Sequence, residues 1–295
     1  MIKVSCEVPY DLLDRSEAFN DYDYCLAHEY LRNESYKNFY LNQKKKGRVI
    51  FLDNSCFELG CSVDIKVYAE IINELCPNLV FLPDCYTDNS DQVLERIYEF
   101  KESLKTVELV CKPCWCAVIH GSSLKDALNT WKRITTEFSD FVGRIAVSKS
   151  LLLKQEEINY YKDLYHLEDN PFVDFNRYLF FYVLLYHGND FGVEYKNEEL
   201  HCLGNFGAFE FKNKLYKKLN ILSVDTSHPV TVAMDPYAKG KSYSEYNTRE
   251  YSLQYRDGRC ITPVLANCMY EKIDKRTFER IKANFVDYKR IVNHL

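Results

Sequence analysis

The chain has 295 residues, 46% hydrophobic and 27% charged, with 10 Gly and 8 Pro. That balance excludes a disordered, collagen-like or low-complexity chain. A formal charge of −5 excludes coating of polyanions through a general basic excess, although a local basic patch stays open to it.

The cysteines (12) and tyrosines (24) are numerous. The first residues, MIKVSCEVPYDLLDRSE, show no basic segment followed by an apolar one. The longest apolar run, 178–186, falls well short of the roughly 18 residues of a membrane span. The expectation is a cytoplasmic chain, away from membranes, whose reduced thiols mostly pack as small apolar groups. The tyrosines are expected to fill cores with their rings while their hydroxyls reach polar partners.

Short apolar runs alternate with amphipathic stretches. In chain order the pattern predicts a strand over 2–8 and a helix over 24–43, stopped by Lys44-Lys45-Lys46-Gly47. A strand over 48–52 (RVIFL) and a helix over 64–75 follow, then a strand over 79–82 (LVFL) closed by Pro83-Asp84. Next come a helix over 90–104, a strand over 115–119, a helix over 124–138 and a strand over 144–147. A helix over 172–186, a strand over 201–203, a helix over 206–219 and a strand over 221–224 complete the alternation. Residues 230–270 are irregular, with an eighth strand expected at 262–265 or 231–234, and 277–293 form a closing helix. That last helix turns Phe278, Ile281, Phe285, Tyr288 and Val292 inward.

Strands alternating with helices predict βαβ units and a parallel sheet. Seven or eight units in a chain of this length predict an α/β fold, a (β/α)8 TIM-type barrel in one domain. A doubly wound open sheet is the alternative. No GxGxxG or GxxxxGK[ST] follows a strand, which weighs against its nucleotide-binding versions.

Barrel active sites lie at the C-terminal ends of the strands. Those ends read Asp53-Asn54-Ser55-Cys56-Phe57-Glu58, Pro83-Asp84, His120-Gly121, Ser148-Lys149-Ser150, Gly204-Asn205 and Asp225-Thr226-Ser227-His228-Pro229. Asp53, Asp84, Asp225, His120 and Lys149 would share one barrel mouth. A single Asp after a strand reads as a helix cap or turn residue; three at one end point to chemistry. Paired carboxylates suit reaction at a sugar carbon. One attacks C1′ and holds a glycosyl intermediate, while the other carries protons to and from the leaving and entering groups. Asp84 can accept hydrogen bonds from the N–H edge of a base. Phe57 reads either as a platform for that base or as a packed core residue.

At these residues the chain resembles the tRNA-guanine transglycosylase superfamily, (β/α)8 barrels that exchange guanine for a 7-deazaguanine. Its Asp-Ser-Gly-Gly-Tyr/Phe-Gln motif falls on residues 53–58. The resemblance implies Asp53 as general acid/base, Phe57 as stacking residue and Glu58 in the glutamine's place near the incoming base. It implies base reading by Asp84, puts His120-Gly121 in the place of a Gln-Gly and Ser148-Lys149 in that of a Gly-Gly, and matches Leu203-Gly204 to a Leu/Met-Gly. The Asp-Cys-Val-x-Pro nucleophile motif falls on residues 225–229, with Asp225 as nucleophile. The match spans roughly 48–230 and departs from the motifs at Ser55, Cys56, Glu58, His120 and Val230. The tRNA enzymes also carry a CxCxxC and His zinc site near the C-terminus, where this chain has only Cys260 and Cys268. The resemblance is therefore best to the shorter phage and bacterial-island branch, which places 7-deazaguanines such as preQ0 in DNA. A tRNA-directed enzyme and a non-catalytic barrel that binds a base or nucleic acid are the alternatives, with a metal-dependent barrel hydrolase a further one.

Cys111, Cys114, Cys116 and His120 mimic zinc-ligand spacing. Alternation along a strand would point these cysteines to opposite faces, so no metal is expected. A thiol cluster of Cys6, Cys56, Cys61 and Cys85 is a weaker alternative. The exchange chemistry calls for no organic cofactor. Lys44–Lys46 at a helix C-terminus read as structural, and 212–218 form a further basic cluster. Lys239, Lys241, Arg249, Arg256 and Arg259, interleaved with Tyr237, Tyr243, Tyr246, Tyr251 and Tyr255, suit phosphate contact and base stacking as well as a solvated loop. A target base in DNA would have to be single-stranded, frayed or flipped. A protein partner or a second copy would add the basic surface that the acidic chain lacks.

Overall fold

Parallel strands covered on both faces are apolar along their whole length. The strands here follow that rule in their buried stretches: β1 (Lys3–Ser5), β2 (Asp23–Leu26), β3 (Ile50–Asp53), β4 (Leu79–Phe81), β5 (Cys114–Ile119), β7 (Leu200–Leu203) and β8 (Ile221–Asp225) are buried over most of their length, and β6 (Val142–Ser148) at Ile145, Ala146 and Val147. This computed structural model describes residues 1–85, 87–149, 151–204, 207–235, 242–246 and 270–293. The strands form one sheet in the order β1-β8-β7-β6-β5-β4-β3-β2. Register pairs Phe51 with Leu79, Val80 with Trp115, Val118 with Ala146 and Val4 with Val224, all in parallel. Helices interleave with the strands: α1 (Ala27–Arg32), α2 (Glu34–Lys45), α3 (Cys56–Leu59), α4 (Ile65–Leu75), α5 (Ser90–Ser103), α6 (Leu124–Glu137), α7 (Gln155–Leu164), α8 (Asn176–Tyr186), α9 (His228–Met234), α10 (Tyr243–Tyr246) and α11 (Lys275–Asn293). The fold class is α/β, of the (β/α)8 type. Among the described residues no helix is long and apolar enough to cross a membrane.

The chain packs as two compact units, Tyr24–His201 and the pair of segments Met1–Asp23 with Cys202–Leu295. In the first unit the helices turn apolar stripes onto the strands: Tyr68, Ile71, Ile72 and Leu75 from α4, then Val93, Leu94, Ile97 and Phe100 from α5, and Leu128, Trp131 and Ile134 from α6. Each starts on a side-chain cap. Asp64 accepts from Lys66 and Val67, Asn89 and Gln92 form a capping box, and Ser123 accepts from Asp126. Tyrosine hydroxyls reach backbone as expected; that of Tyr68 lies 2.9 Å from the Phe81 carbonyl and 3.1 Å from that of Leu52.

In the second unit α11 buries Ile281, Phe285, Tyr288 and Val292. Tyr22 donates to the Val224 carbonyl (2.8 Å) and Ser5 Oγ to that of Tyr22 (2.7 Å), tying β1, β8 and the approach to β2 together.

Three expectations are corrected. Residues 24–43 are not one helix: 23–26 form β2, and Asn33, in extended conformation, separates α1 from α2 by capping the latter through Ser35 and Tyr36 N–H. The missing strand is therefore β2. Residues 231–234 belong to α9, where Pro229 sits in the first turn, a position whose lost N–H needs no partner. The β-branched Val-Thr-Val run had mimicked a strand. Within 206–219 the chain makes two 3-10 turns, Glu210–Lys212 and Lys214–Lys218, parted at Asn213, whose side chain accepts from Leu215 N–H. The 262–265 alternative lies outside the described residues.

Candidate active site

Within Tyr24–His201, three neighbouring strand ends are joined by side-chain hydrogen bonds. Asp53 ends β3; the Tyr24 hydroxyl donates to its Oδ2 and the Ser55 N–H to its Oδ1, both at 2.6 Å. The second bond closes a tight turn in which Ser55 takes φ 63°, in the left-handed region that favours glycine. Asn54 is buried and reaches the next strand: its Nδ2 donates to the Leu82 carbonyl (2.6 Å) and to Asp84 Oδ1 (3.0 Å). Its Oδ1 accepts from Cys56 N–H at 2.8 Å, which sets the start of α3. Asp84 is 4% exposed, and its Oδ2 lies 2.6 Å from His120 Nε2, just past β5. Buried carboxylates are tolerated only when hydrogen-bonded, and Tyr24, Ser55, Asn54 and His120 meet that need. Their charge is felt nearby. Burial, then Asp53 and Asp84, hold the Tyr68 hydroxyl well above its ordinary pKa. Burial, then Asp84, does the same to the Cys56 thiol.

The other predicted residues here fall into place individually. Phe57, on α3, is 71% exposed, so the packed-core reading is set aside and a platform is left open. Glu58 is exposed beside it. Gly121 is required by space: a Cβ there would lie 2.4 Å from Ala127 N, in the first turns of α6. Lys149 follows β6 and is half-buried.

Because the sequence pattern hid β2, it also hid the residues at that strand's end. Tyr24, on β2, holds Asp53. His28 N–H donates to Ser55 Oγ (3.1 Å), and its Nε2 lies 3.1 Å from Glu29 Oε1. Glu29 is buried and also paired with Arg32. Burial, then the Arg32 charge, lowers His28 to about 4 despite Glu29, so its imidazole is neutral near pH 7. The Ala-His-Glu that follows the apolar DYCL run was the available signal.

In the other unit, Asp225 is the last residue of β8 and is half-buried. Gly204, just past β7 with φ 61°, donates its N–H to Asp225 Oδ1 at 2.9 Å. Thr226 N–H donates to the Ser5 carbonyl (3.0 Å), which anchors the turn after β8. His228 is buried, with Nδ1 2.6 Å from the Tyr243 hydroxyl. Lys239, Lys241, Arg249, Arg256 and Arg259 lie outside the described residues, as do Tyr237, Tyr251 and Tyr255.

The cysteines with zinc-like spacing are separated by local structure. Cys116 is buried within β5, while the Cys111 thiol faces the Ile72 carbonyl at 3.7 Å. Among the described residues no group of three or more His, Cys, Asp or Glu is arranged to hold a metal ion. Compared with known proteins, the chain matches no family model and no curated sequence at a significant level.

Proposed function

We propose that the protein is a base-exchange glycosyltransferase that replaces guanine in DNA with a 7-deazaguanine of the preQ0 type. One observation carries the reading. The residues Asp53, Asp84, His120, Lys149, Gly204 and Asp225 stand, in chain order, at or within three residues of the C-terminal ends of β3 to β8. Those are the positions from which (β/α)8 enzymes act, and the order is that of the transglycosylase motifs. Two local features add support. Ser55 takes a left-handed conformation at the position where those motifs have glycine, and Phe57 is exposed rather than packed.

In this reading the Asp225 carboxylate attacks C1′. Asp53 takes up a proton from solvent as the substrate binds; the C1′–N9 bond then breaks, an ester forms, and guanine leaves with that proton. The entering base then attacks C1′, the ester bond breaks, and its proton passes to Asp53. The Gly204 N–H orients the Asp225 carboxylate, and Tyr24 and Ser55 N–H orient that of Asp53. The Asp84–His120 pair supplies the polar edge that reads the base, with Phe57 as its stacking surface. A base paired in a duplex has to leave the stack before C1′ is reached.

The test is exchange of labelled guanine in matched DNA and tRNA, wild type beside Asp225→Ala, with a search for a denaturation-resistant protein–nucleic acid adduct. Exchange in DNA that the variant loses is the expected result. Exchange confined to tRNA would move the substrate to RNA. Absence of both exchange and adduct would overturn the reading in favour of a non-catalytic barrel.

A further inference from the structure

Beside the wired carboxylates lies a pair of thiols that the exchange chemistry does not use. After α3 the chain turns at Gly60 (φ 84°), and Cys61 pairs antiparallel with Cys85 in an isolated β-bridge. Ser62 N–H donates to the Asp84 carbonyl at 2.9 Å, fixing the register of that bridge. The two sulfurs lie 2.7 Å apart, and Cys85 Sγ is also 3.2 Å from the Gly60 carbonyl. Facing residues of an antiparallel pair have Cα atoms about 4.5–5.5 Å apart, inside the roughly 4.4–6.8 Å that a disulfide spans. The bridge thus sets the two residues at the kind of separation that a disulfide spans. Both residues are thiols in this structure, Cys61 exposed and Cys85 half-buried, so a small reagent can reach them.

We propose that Cys61 and Cys85 form a redox-active dithiol that closes to a disulfide with low-molecular-weight disulfides such as glutathione disulfide. The two thiols are unequal. Partial burial opposes the Cys85 thiolate, but hydrogen bonds from the Cys61 thiol and from Thr87 outweigh it, and Cys85 titrates below an ordinary thiol. The same bond to Cys85, followed by burial, raises Cys61. Cys85 is taken as the attacking sulfur, and the step balances equally with the two sulfurs exchanged. Its thiolate attacks one sulfur of the oxidant, breaking that S–S bond and releasing one thiolate. Cys61 then gives up its proton and attacks Cys85 Sγ, expelling the second thiolate. The protein loses two electrons and two protons, and the oxidant becomes two thiols. Among the described residues, Cys6, Cys25, Cys56, Cys116 and Cys202 are buried, burial raises Cys114, and burial with the neighbouring Cys76 raises Cys111 to about 11. Disulfides of this kind in reducing compartments are usually transient and redox-sensing. The bond would staple the segment that follows Phe57 and Glu58 to the one that carries Asp84.

The experiment equilibrates the full chain in glutathione buffers of graded ratio. It then traps free thiols with a maleimide and maps cross-linked peptides by mass spectrometry. The expected result is one disulfide between Cys61 and Cys85, formed at a more reducing poise than any other and absent from Cys61→Ser and Cys85→Ser. In the wild type its formation raises the melting temperature by roughly 5–10 °C, as expected for a loop closed in an unstrained native state. The idea is overturned if both residues are recovered as alkylated thiols under the most oxidising buffer. It is equally overturned if Cys85 is recovered glutathionylated with Cys61 free, or if another pair closes first. None of these readouts requires base-exchange activity, so they stand or fall apart from the proposed function.

Discussion

The ends of β3 to β5 and the end of β8 treat their carboxylates differently. At β3 to β5, Asp53 and Asp84 are buried and held by the side chains of Tyr24, Asn54 and His120. At β8, Asp225 is half-buried and takes a backbone N–H, that of Gly204, from the neighbouring strand end. Side-chain wiring fixes orientation and makes each partner's removal costly, because an orphaned buried group loses its compensation. A backbone donor orients a carboxylate while leaving it within reach of a substrate. Under the proposed function, the first arrangement would serve reading and proton transfer, and the second the nucleophile.

The sharpest way to break this comparison is Asp225→Asn. If β8 carries the nucleophile, exchange falls by about 10³-fold or more, whereas the melting temperature stays within about 2 °C of wild type. A large loss of stability would make Asp225 a structural group like Asp84. Next in size is Gly121→Ala, which sets a methyl group against the backbone of α6. Chemical denaturation should show a loss of about 2–4 kcal/mol, and a neutral result would mean that the turn after β5 is free to shift. His120→Ala leaves Asp84 buried without its ring partner. It is expected to cost about 1–3 kcal/mol and to weaken base binding as well. Stability unchanged by that variant would show the Asp84 network to be loosely held.

A comparable effect, confined to acid conditions, concerns pH. His28 titrates at about 4 in the fold, against 6.5 when unperturbed. Between those values the unfolded chain takes up a proton that the folded chain refuses. Stability therefore falls as pH drops from 6.5 towards 4, by up to about 2–3 kcal/mol, with no contribution above that window. His28→Asn should flatten this part of the curve in denaturation experiments at graded pH. An unchanged slope would assign it to other groups.

Much of the scaffold was legible because period and composition are local properties. RVIFL and LVFL became β3 and β4, and the spacing of Val93, Leu94, Ile97 and Phe100 became the buried face of α5. The polar residue waiting at each strand end was visible for the same reason. DYCL was not, because the helical sequence that follows it runs on without a stop signal, and only pairing in the sheet makes it a strand. With β2 unseen, Tyr24 and His28 could not be placed near Asp53 and Ser55.

What the sequence by itself determined is the alternation of buried strand and amphipathic helix, and with it the (β/α)8 class. It also set the order in which Asp53, Asp84, His120 and Asp225 end their strands. What only the tertiary structure decided is which of these side chains meet. That Asn54 bridges to Asp84, that His120 faces the same carboxylate, and that Cys61 lies against Cys85 all depend on register between segments about 24 to 36 residues apart. Register is settled by how whole strands bury their apolar faces together, and no local stretch of sequence contains that information.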